Sequence, residues 1–142
     1  MKSNFVPHPN LAGDGRCRIC DFAYSTLVPA EVAQHRRYHA RYLAACGSVG
    51  APMPTAERES RRQAGLAVQF NERIPLRERI AAAERWLEAE HHDHLAEVLL
   101  YGVQRLDLRE YFTKHVEPSR LSSFENDVAA ELRLRYSDSF VA

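Results

Sequence analysis

Two cysteines and two histidines near the start of the sequence have the types and the spacing of a metal-binding site. The pattern is Cys17-x2-Cys20-x14-His35-x3-His39. Two cysteines three residues apart can hold a metal ion from a tight turn, and two histidines four residues apart lie on one face of a helix. Zn²⁺ prefers four such sulfur and nitrogen ligands in a tetrahedron. The spacing therefore predicts one structural zinc ion bound by Cys17, Cys20, His35 and His39.

Two other interpretations of these residues compete with a zinc site. The cysteines could be small buried residues and the histidines helix-surface residues, but four matched spacings would then be a coincidence. The C-x-x-C pair could be a redox motif, although no strand is predicted before Cys17 and no helix is predicted to begin there. A closed set of four ligands leaves no position for a reactive water, which favours a structural metal over a catalytic one.

A turn and a helix are the elements that must hold the four ligands. The segment 13–15 (GDG) is a turn signal before the first cysteine, and a helix is predicted from Pro29 to Cys46 because proline suits a first helical position and Gly47 follows the end. His35 and His39 lie on an apolar stripe of that helix. Its other members are Val32, Tyr42 and Cys46, with Phe22, Tyr24 and Leu43 as expected core partners.

The remainder of the chain is predicted to be helical. Glycines and prolines in residues 47–54 (GSVGAPMP) form a linker, so we predict a finger module over 1–46 and a helical domain over 55–142. Helices are expected from Thr55 to about Phe70 and from Pro75 onward, with Asp93 either breaking the second helix or lying inside it. Capping boxes predict two more helices after Asp107 and Ser122, separated by Pro118. The fold class is therefore mostly α, with a CCHH finger followed by an acidic unit of four or five helices.

The net charge of zero hides an uneven distribution of charges. Residues 1–80 carry 12 Lys/Arg against 7 Asp/Glu, and residues 81–142 carry 7 against 12. A group of arginines surrounds the finger and could contact phosphates or guanine edges, unless it is only a solvated helix face. The candidate nucleic-acid-binding residues are Arg16, Arg18, Arg36, Arg37 and Arg41.

The composition bounds the class of protein. Hydrophobic residues make up 45% of the chain and charged residues 27%, and no apolar run approaches the roughly 18 residues of a membrane helix. The first ten residues (MKSNFVPHPN) contain no apolar signal core, and paired thiols with spaced histidines suit a reducing compartment. We expect an intracellular protein, cytoplasmic or nuclear, without a membrane partner.

The run CRICDFAYSTLVPAEVAQHRRYHARYL resembles the zinc finger of the sister-chromatid cohesion acetyltransferases. The similarity covers residues 17–43: C-x-x-C, an aromatic residue at Tyr24, Pro29 followed by Glu31, and H-x-x-aromatic-H with Tyr42 and Leu43. That family usually has Gly-Met after the second cysteine, where this chain has Asp-Phe. The acetyltransferase domain is absent, since no glycine-rich acetyl-CoA loop follows. The resemblance thus implies a finger fold but not acetyl transfer.

Other clusters of polar residues give weaker signals. Glu88-x-x-His91 has the spacing of a di-metal half-site, but a second Glu-x-x-His is missing, so His91, His92 and His94 are interpreted as a solvated helix end. His115 is expected to interact with a helix dipole. The sequence has no G-x-S-x-G, P-loop or Rossmann glycine pattern, and we predict no enzyme activity and no small-molecule substrate.

Binding and regulation are therefore the predicted functions, in two versions. In the first, the arginines of the finger contact nucleic acid and the helical half dimerises, since one finger reads only about three base pairs. The apolar residues expected to drive dimerisation are Leu76, Ile80, Trp86, Leu87, Leu95, Leu99, Leu106, Phe112 and Phe124. In the second, the zinc site is purely structural and the acidic helices bind a protein partner, for example a nucleic-acid-processing enzyme.

Overall fold

The computed structural model describes residues 4–116 and 124–136 and is mostly helical. Three short strands precede the helices: β1 (Phe5–Pro7), β2 (Asp14–Cys17) and β3 (Ala23–Ser25). The α-helices of the described residues are α1 (Pro29–Cys46), α2 (Thr55–Gln69), α3 (Leu76–Tyr101), α4 (Leu108–His115) and α5 (Asn126–Tyr136). The prediction of a mostly α fold with a Cys/His cluster at its start is confirmed.

The chain divides into two compact units. The first unit extends to Glu57 and also includes His92–Val103, and the second consists of Arg58–His91 and the residues from Gln104 onward. The last part of α3 therefore packs with the strands and α1, whereas its first part packs with α2, α4 and α5. None of the helices that the structure describes has the combination of length and apolar character needed to cross a membrane.

The first unit begins with a three-stranded antiparallel sheet in the order β1-β2-β3. Phe5 pairs with Cys17 and Asp14 pairs with Ser25, so β2 is the central strand. Each strand has only three or four residues, too few for an alternating pattern to stand out, and the sequence analysis did not predict the sheet. The sheet brings Cys17 to the end of its central strand.

Helix α1 has the predicted boundaries. Pro29 lies in the first turn of the helix. Gly47 follows its last residue and begins a 3-10 turn; its φ of −55° lies in the right-handed helical region. The buried face contains Tyr38, Tyr42 and Cys46. Leu43, expected in the core, is instead 40% exposed, whereas Tyr38, on the other side of the ligand-bearing face, is buried.

The second unit is built on α2 and the first part of α3. Helix α2 matches the prediction to within one residue, and α3 runs without interruption through Asp93, which settles the alternative left open there. Helix α4 begins as predicted: the Asp107 carboxylate accepts a hydrogen bond of 2.8 Å from the Glu110 amide, which lowers the pKa of Asp107. The predicted cap at Ser122 and Pro118 lie outside the described residues.

The core of the second unit contains most of the apolar residues on which the dimerisation prediction was based. Its buried members are Ile80, Ala83, Leu87, Tyr111, Phe112, Val116, Phe124, Val128, Ala129 and Leu132, and Trp86 and Leu106 pack against them. Leu95 is buried in the first unit, with Leu99 packed beside that core. Most of the supposed surplus of apolar surface is therefore covered within one chain, and dimerisation stays a prediction without that argument.

Candidate metal centre

The two cysteines are positioned by a tight turn between β2 and β3. The Cys17 amide donates to the Phe22 carbonyl at 3.0 Å, and the Asp21 amide donates to the Cys17 carbonyl at 2.9 Å. Asp21 has a φ of 65°, a left-handed conformation that favours glycine and that Asp tolerates better than most residues. Cys17 and Cys20 are each 1% exposed, so both thiols face the interior of the unit.

The two histidines project from α1 toward the same point. Four residues apart on a helix, His35 and His39 lie one above the other, with ring centroids 5.2 Å apart. The Tyr24 ring stacks on His35 at a centroid distance of 4.3 Å and an angle of 9°, and Phe22 lies beside it. These aromatic rings on and beside β3 fix the orientation of the first imidazole.

The ligand atoms of Cys17, Cys20, His35 and His39 all lie within 4.8 Å of one another. Among the described residues, they form the one group of three or more metal-binding side chains placed closely enough to hold a metal ion. The structure thus brings together the four residues that the sequence spacing selected. Such a set of two sulfurs and two nitrogens can complete the coordination of a tetrahedral ion.

Two further observations test whether a metal fits. Cys17 Sγ lies 3.5 Å from His39 Nδ1, close to the roughly 3.6 Å that separates a sulfur and a nitrogen ligand on a tetrahedral zinc ion. His35 Nε2 is buried and has no hydrogen-bond partner among the described residues. A buried nitrogen without a partner costs about 1–3 kcal/mol, and a metal ion would satisfy it.

The two thiols of the cluster shift each other's pKa in opposite directions. The Cys20 side chain donates a hydrogen bond to Cys17, which lowers the pKa of Cys17 to about 4. The same interaction, together with burial, raises the pKa of Cys20 far above its usual value. A thiolate is the form of cysteine that binds metal, and the lowered pKa of Cys17 favours that form.

The five candidate arginines are placed around this centre on exposed positions. Arg16 lies in β2, Arg18 in the cysteine turn, and Arg36, Arg37 and Arg41 on α1. The Arg16 guanidinium donates to Asp21 Oδ1 at 3.5 Å. Within residues 4–116 and 124–136, the structure gives the side chains of the other four no hydrogen bond or ion pair. Those four guanidinium groups are therefore oriented toward solvent around the Cys/His cluster.

None of the five candidate arginines occupies any of the positions at which finger helices commonly contact bases. These are residues −1, 3 and 6 relative to the helix start, which correspond here to Val28, Glu31 and Gln34. The Glu31 carboxylate accepts a hydrogen bond of 3.2 Å from the Ser25 amide and so helps to hold β3 against α1. The arginines of α1 come later on the helix, where they suit phosphate contacts better than base reading.

The histidine cluster on α3 is buried, so its interpretation as a solvated helix end was wrong. His91, His92 and His94 are 1%, 5% and 8% exposed, because α3 continues past them. In the second unit, His91 Nε2 donates to the Leu106 carbonyl at 2.9 Å, and burial lowers its pKa. The Glu88 carboxylate accepts a hydrogen bond from Arg61. Both members of the supposed half-site are thus already engaged with protein groups.

The structure also shows contacts that support the metal centre in the first unit and that the sequence analysis did not predict. Cys46 is fully buried, and its sulfur lies 3.7 Å from His92 Nδ1. Tyr38 stacks beside Tyr42 and contacts Phe22, which makes it part of the aromatic core under the ligands. A helical wheel of α1 would place Tyr38 next to the ligand face, whereas nothing in the sequence links Cys46 to a histidine 46 residues away.

Comparison with known proteins gives little evidence about the family. No family model matches the chain, and no solved structure matches it. The chain is similar to two proteins named "Probable phosphoketolase", from Synechococcus elongatus and a second Synechococcus strain, each 28% identical over 78 residues. The match covers 54% of this chain and 10% of each relative, so the chain spans about a tenth of the length of these relatives. Identity and coverage at this level do not show the family.

Proposed function

We propose that this protein is a binding module in which one structural zinc ion holds a finger that contacts nucleic-acid phosphates. Cys17, Cys20, His35 and His39 would bind the ion. The single observation that carries the proposal is the convergence of their four ligand atoms within 4.8 Å. Because the four ligands form a closed set, the ion would have a structural role and would not activate a water for catalysis.

The second part of the proposal concerns the exposed arginines. Arg18, Arg36, Arg37 and Arg41 extend from the two elements that the metal joins, and their charges are not neutralised by nearby carboxylates of the described residues. Four phosphate contacts would give binding that weakens steeply with salt, with a slope of about −3 to −4 in log K against log salt. We propose sequence-independent contacts, since the usual base-reading positions hold Val28 and Glu31.

Charge-matched variants test the phosphate contacts. We expect Arg36→Glu/Arg37→Glu to reduce binding to a labelled DNA or RNA duplex and to lower the salt slope by about 2. The control, Arg73→Glu/Arg109→Glu, changes the net charge equally at exposed positions of the second unit and should bind like the wild type. Affinity is measured by fluorescence anisotropy between low and high salt, on protein with confirmed metal content. A flat salt response, or equal losses in both variants, contradicts the proposal.

The alternative function is a protein-interaction adaptor in which the finger is purely structural. The residues at the base-reading positions favour it, because Glu31 is engaged with the backbone of β3. In that case Arg36→Glu/Arg37→Glu leaves function intact, and apolar or charge changes in the 76–112 helices abolish it. Dimerisation through residues 55–142, which would double the phosphate contacts, is tested by light scattering of the full chain.

A further inference from the structure

A groove between α2 and α3 in the second unit is not explained by the proposed function. It has a volume of about 710 Å³, comparable to a ligand site, and is accessible from solvent. Its floor consists of small residues at the point where the helices are closest, among them Ala64, Gly65, Ala81 and Ala82. The short side chains leave space above the floor, and Val68 and Ile74 make one end apolar.

Close packing of the helices creates this shape. A side chain at Gly65 would meet Trp86 Cβ at 2.7 Å and the Ala82 carbonyl oxygen at 3.1 Å, so α2 and α3 approach each other as closely as a glycine allows. At one end of the groove, the Arg61 guanidinium donates to Glu88 at 2.7 Å and fixes α2 against α3. The groove is therefore built by packed helices and does not depend on the position of a loop.

The charges around the groove are mainly positive. Arg77 and Arg85 line it together with the Glu78 carboxylate, and the third arginine of the lining, Arg61, is paired with Glu88. Arg77 and Arg85 are exposed, and neither side chain forms an ion pair or hydrogen bond with the residues that the structure describes. They lie eight positions apart on α3, which corresponds to about 12 Å of helix axis at about 1.5 Å per residue. An occupant should carry two negative charges at that separation.

We propose that this groove binds an acidic amphipathic helix of a partner protein, with small apolar side chains on the floor and two carboxylates facing Arg77 and Arg85. A cleft between two packed helices is where a third helix fits, and small residues permit a close backbone approach. Acidic residues seven or eight positions apart on the incoming helix match the spacing of the two arginines. Charge complementarity with these two arginines thus selects an acidic occupant. The local charge of the groove differs in sign from the net charge of residues 81–142, which is negative.

The test is a selection from a displayed library of helical peptides of roughly 18 residues, longer than the about 12–15 residues below which isolated helices are marginal. The bait is the full-length, metal-containing protein. The expected result is enrichment of two carboxylates seven or eight positions apart. Arg77→Glu/Arg85→Glu should weaken the selected peptides by at least about tenfold, and Arg109→Glu, outside the groove, should leave the affinity within about twofold.

A second variant separates groove binding from general charge attraction. Ala64→Trp fills the groove without changing any charge and should abolish peptide binding, whereas Ala130→Trp, at an exposed position of α5, should not. Thermal unfolding checks that all variants remain folded. The proposal is overturned if the selected peptides survive Ala64→Trp or lack paired carboxylates. It is also overturned if dodecyl phosphate, a probe for a lipid-like anion, binds in the groove while the peptides do not. The same holds if Ala64→Trp dissociates a homodimer, because the occupant is then a second copy of this chain.

Discussion

At the scale of single residues, the buried ring nitrogens are the most informative atoms. A ring nitrogen of His35 lies within 4.8 Å of the three other candidate ligand atoms, whereas His91 Nε2 donates to the Leu106 carbonyl. The first nitrogen is therefore suited to a metal ion and the second to a structural hydrogen bond. Two histidines in different units thus have different predicted roles, which the structure distinguishes by the atoms they face.

Substitution of one thiol ligand should remove the metal. We expect Cys20→Ser to lose stoichiometric zinc, because serine does not provide the thiolate that Zn²⁺ prefers. Cys46→Ser is a matched control, since Cys46 is equally buried and lies outside the ligand group. Zinc per chain is measured by elemental analysis after gel filtration. Equal metal content in the two variants would show that the cluster does not bind zinc.

His91 should make the stability of the protein depend on pH. Burial lowers its pKa in the folded chain below the ordinary value of 6.5, so the unfolded chain binds a proton first as the pH falls. The contribution is fully present above about pH 6.5 and is lost below it, with a slope of at most about 1.4 kcal/mol per pH unit.

His91→Gln tests this pH dependence, because the amide can still donate to the Leu106 carbonyl but does not titrate. Its free energy of unfolding, measured by urea denaturation between pH 5 and pH 7, should fall less steeply than that of the wild type. Parallel curves for the two proteins would refute the assignment. The comparison cancels the acid sensitivity that a metal centre adds to both.

At the scale of elements, the close approach of α2 and α3 depends on one residue without a side chain. Gly65 is buried in the middle of α2, where glycine is normally unfavourable by about 1 kcal/mol relative to alanine. The helices pack so closely there that Trp86 occupies the space of a Cβ atom. The packing gain therefore outweighs the helix propensity at this position.

Gly65→Ala should destabilise the protein by about 1–3 kcal/mol, because overpacking exceeds the gain in helix propensity. Gly47→Ala is the control: nothing lies within 4 Å of its added Cβ, so the change should be neutral or stabilising. Urea denaturation measures both. If the two variants shift the unfolding midpoint in the same direction, the helices do not pack as closely as described.

The helices could be predicted from local chemistry, whereas burial within them could not. Pro29, Thr55 and Asp107 mark helix starts by their own conformational preferences, and the observed boundaries follow them. The positions of Leu43 and His91 were misjudged because their burial depends on which residues pack opposite them. The ligand set was predictable because metal geometry imposes its spacing on the sequence, but the short strands impose no comparable pattern.

At the scale of the whole molecule, the two units are stabilised in different ways. Among its described residues, the second unit has a core of ten buried side chains and an ion pair in which Arg79 donates to both Asp127 oxygens. The first unit has strands of three or four residues, too short to be stable by themselves, and a core centred on Cys17, Cys20 and Tyr42. A metal ion would therefore contribute more to the first unit.

Chelation should affect the first unit selectively. After zinc removal, amide hydrogen exchange in α1 should rise by at least about tenfold, because structural zinc contributes about 10 kcal/mol or more in finger peptides. Exchange in α5, whose Val128 and Leu132 belong to the other core, should change little. Mass spectrometry of peptic fragments measures both regions. A uniform rise across the chain, or no rise in α1, would contradict a metal-dependent first unit.

The burial of all three cysteines also determines how the protein responds to thiol reagents. None of these sulfur atoms is accessible in the folded chain, and two of them belong to the candidate metal centre. An alkylating reagent can therefore modify them only when the surrounding structure opens. The rate of labelling at Cys46, the one cysteine outside the ligand set, then reports opening of the aromatic core, while labelling at Cys17 and Cys20 reports departure of the ion.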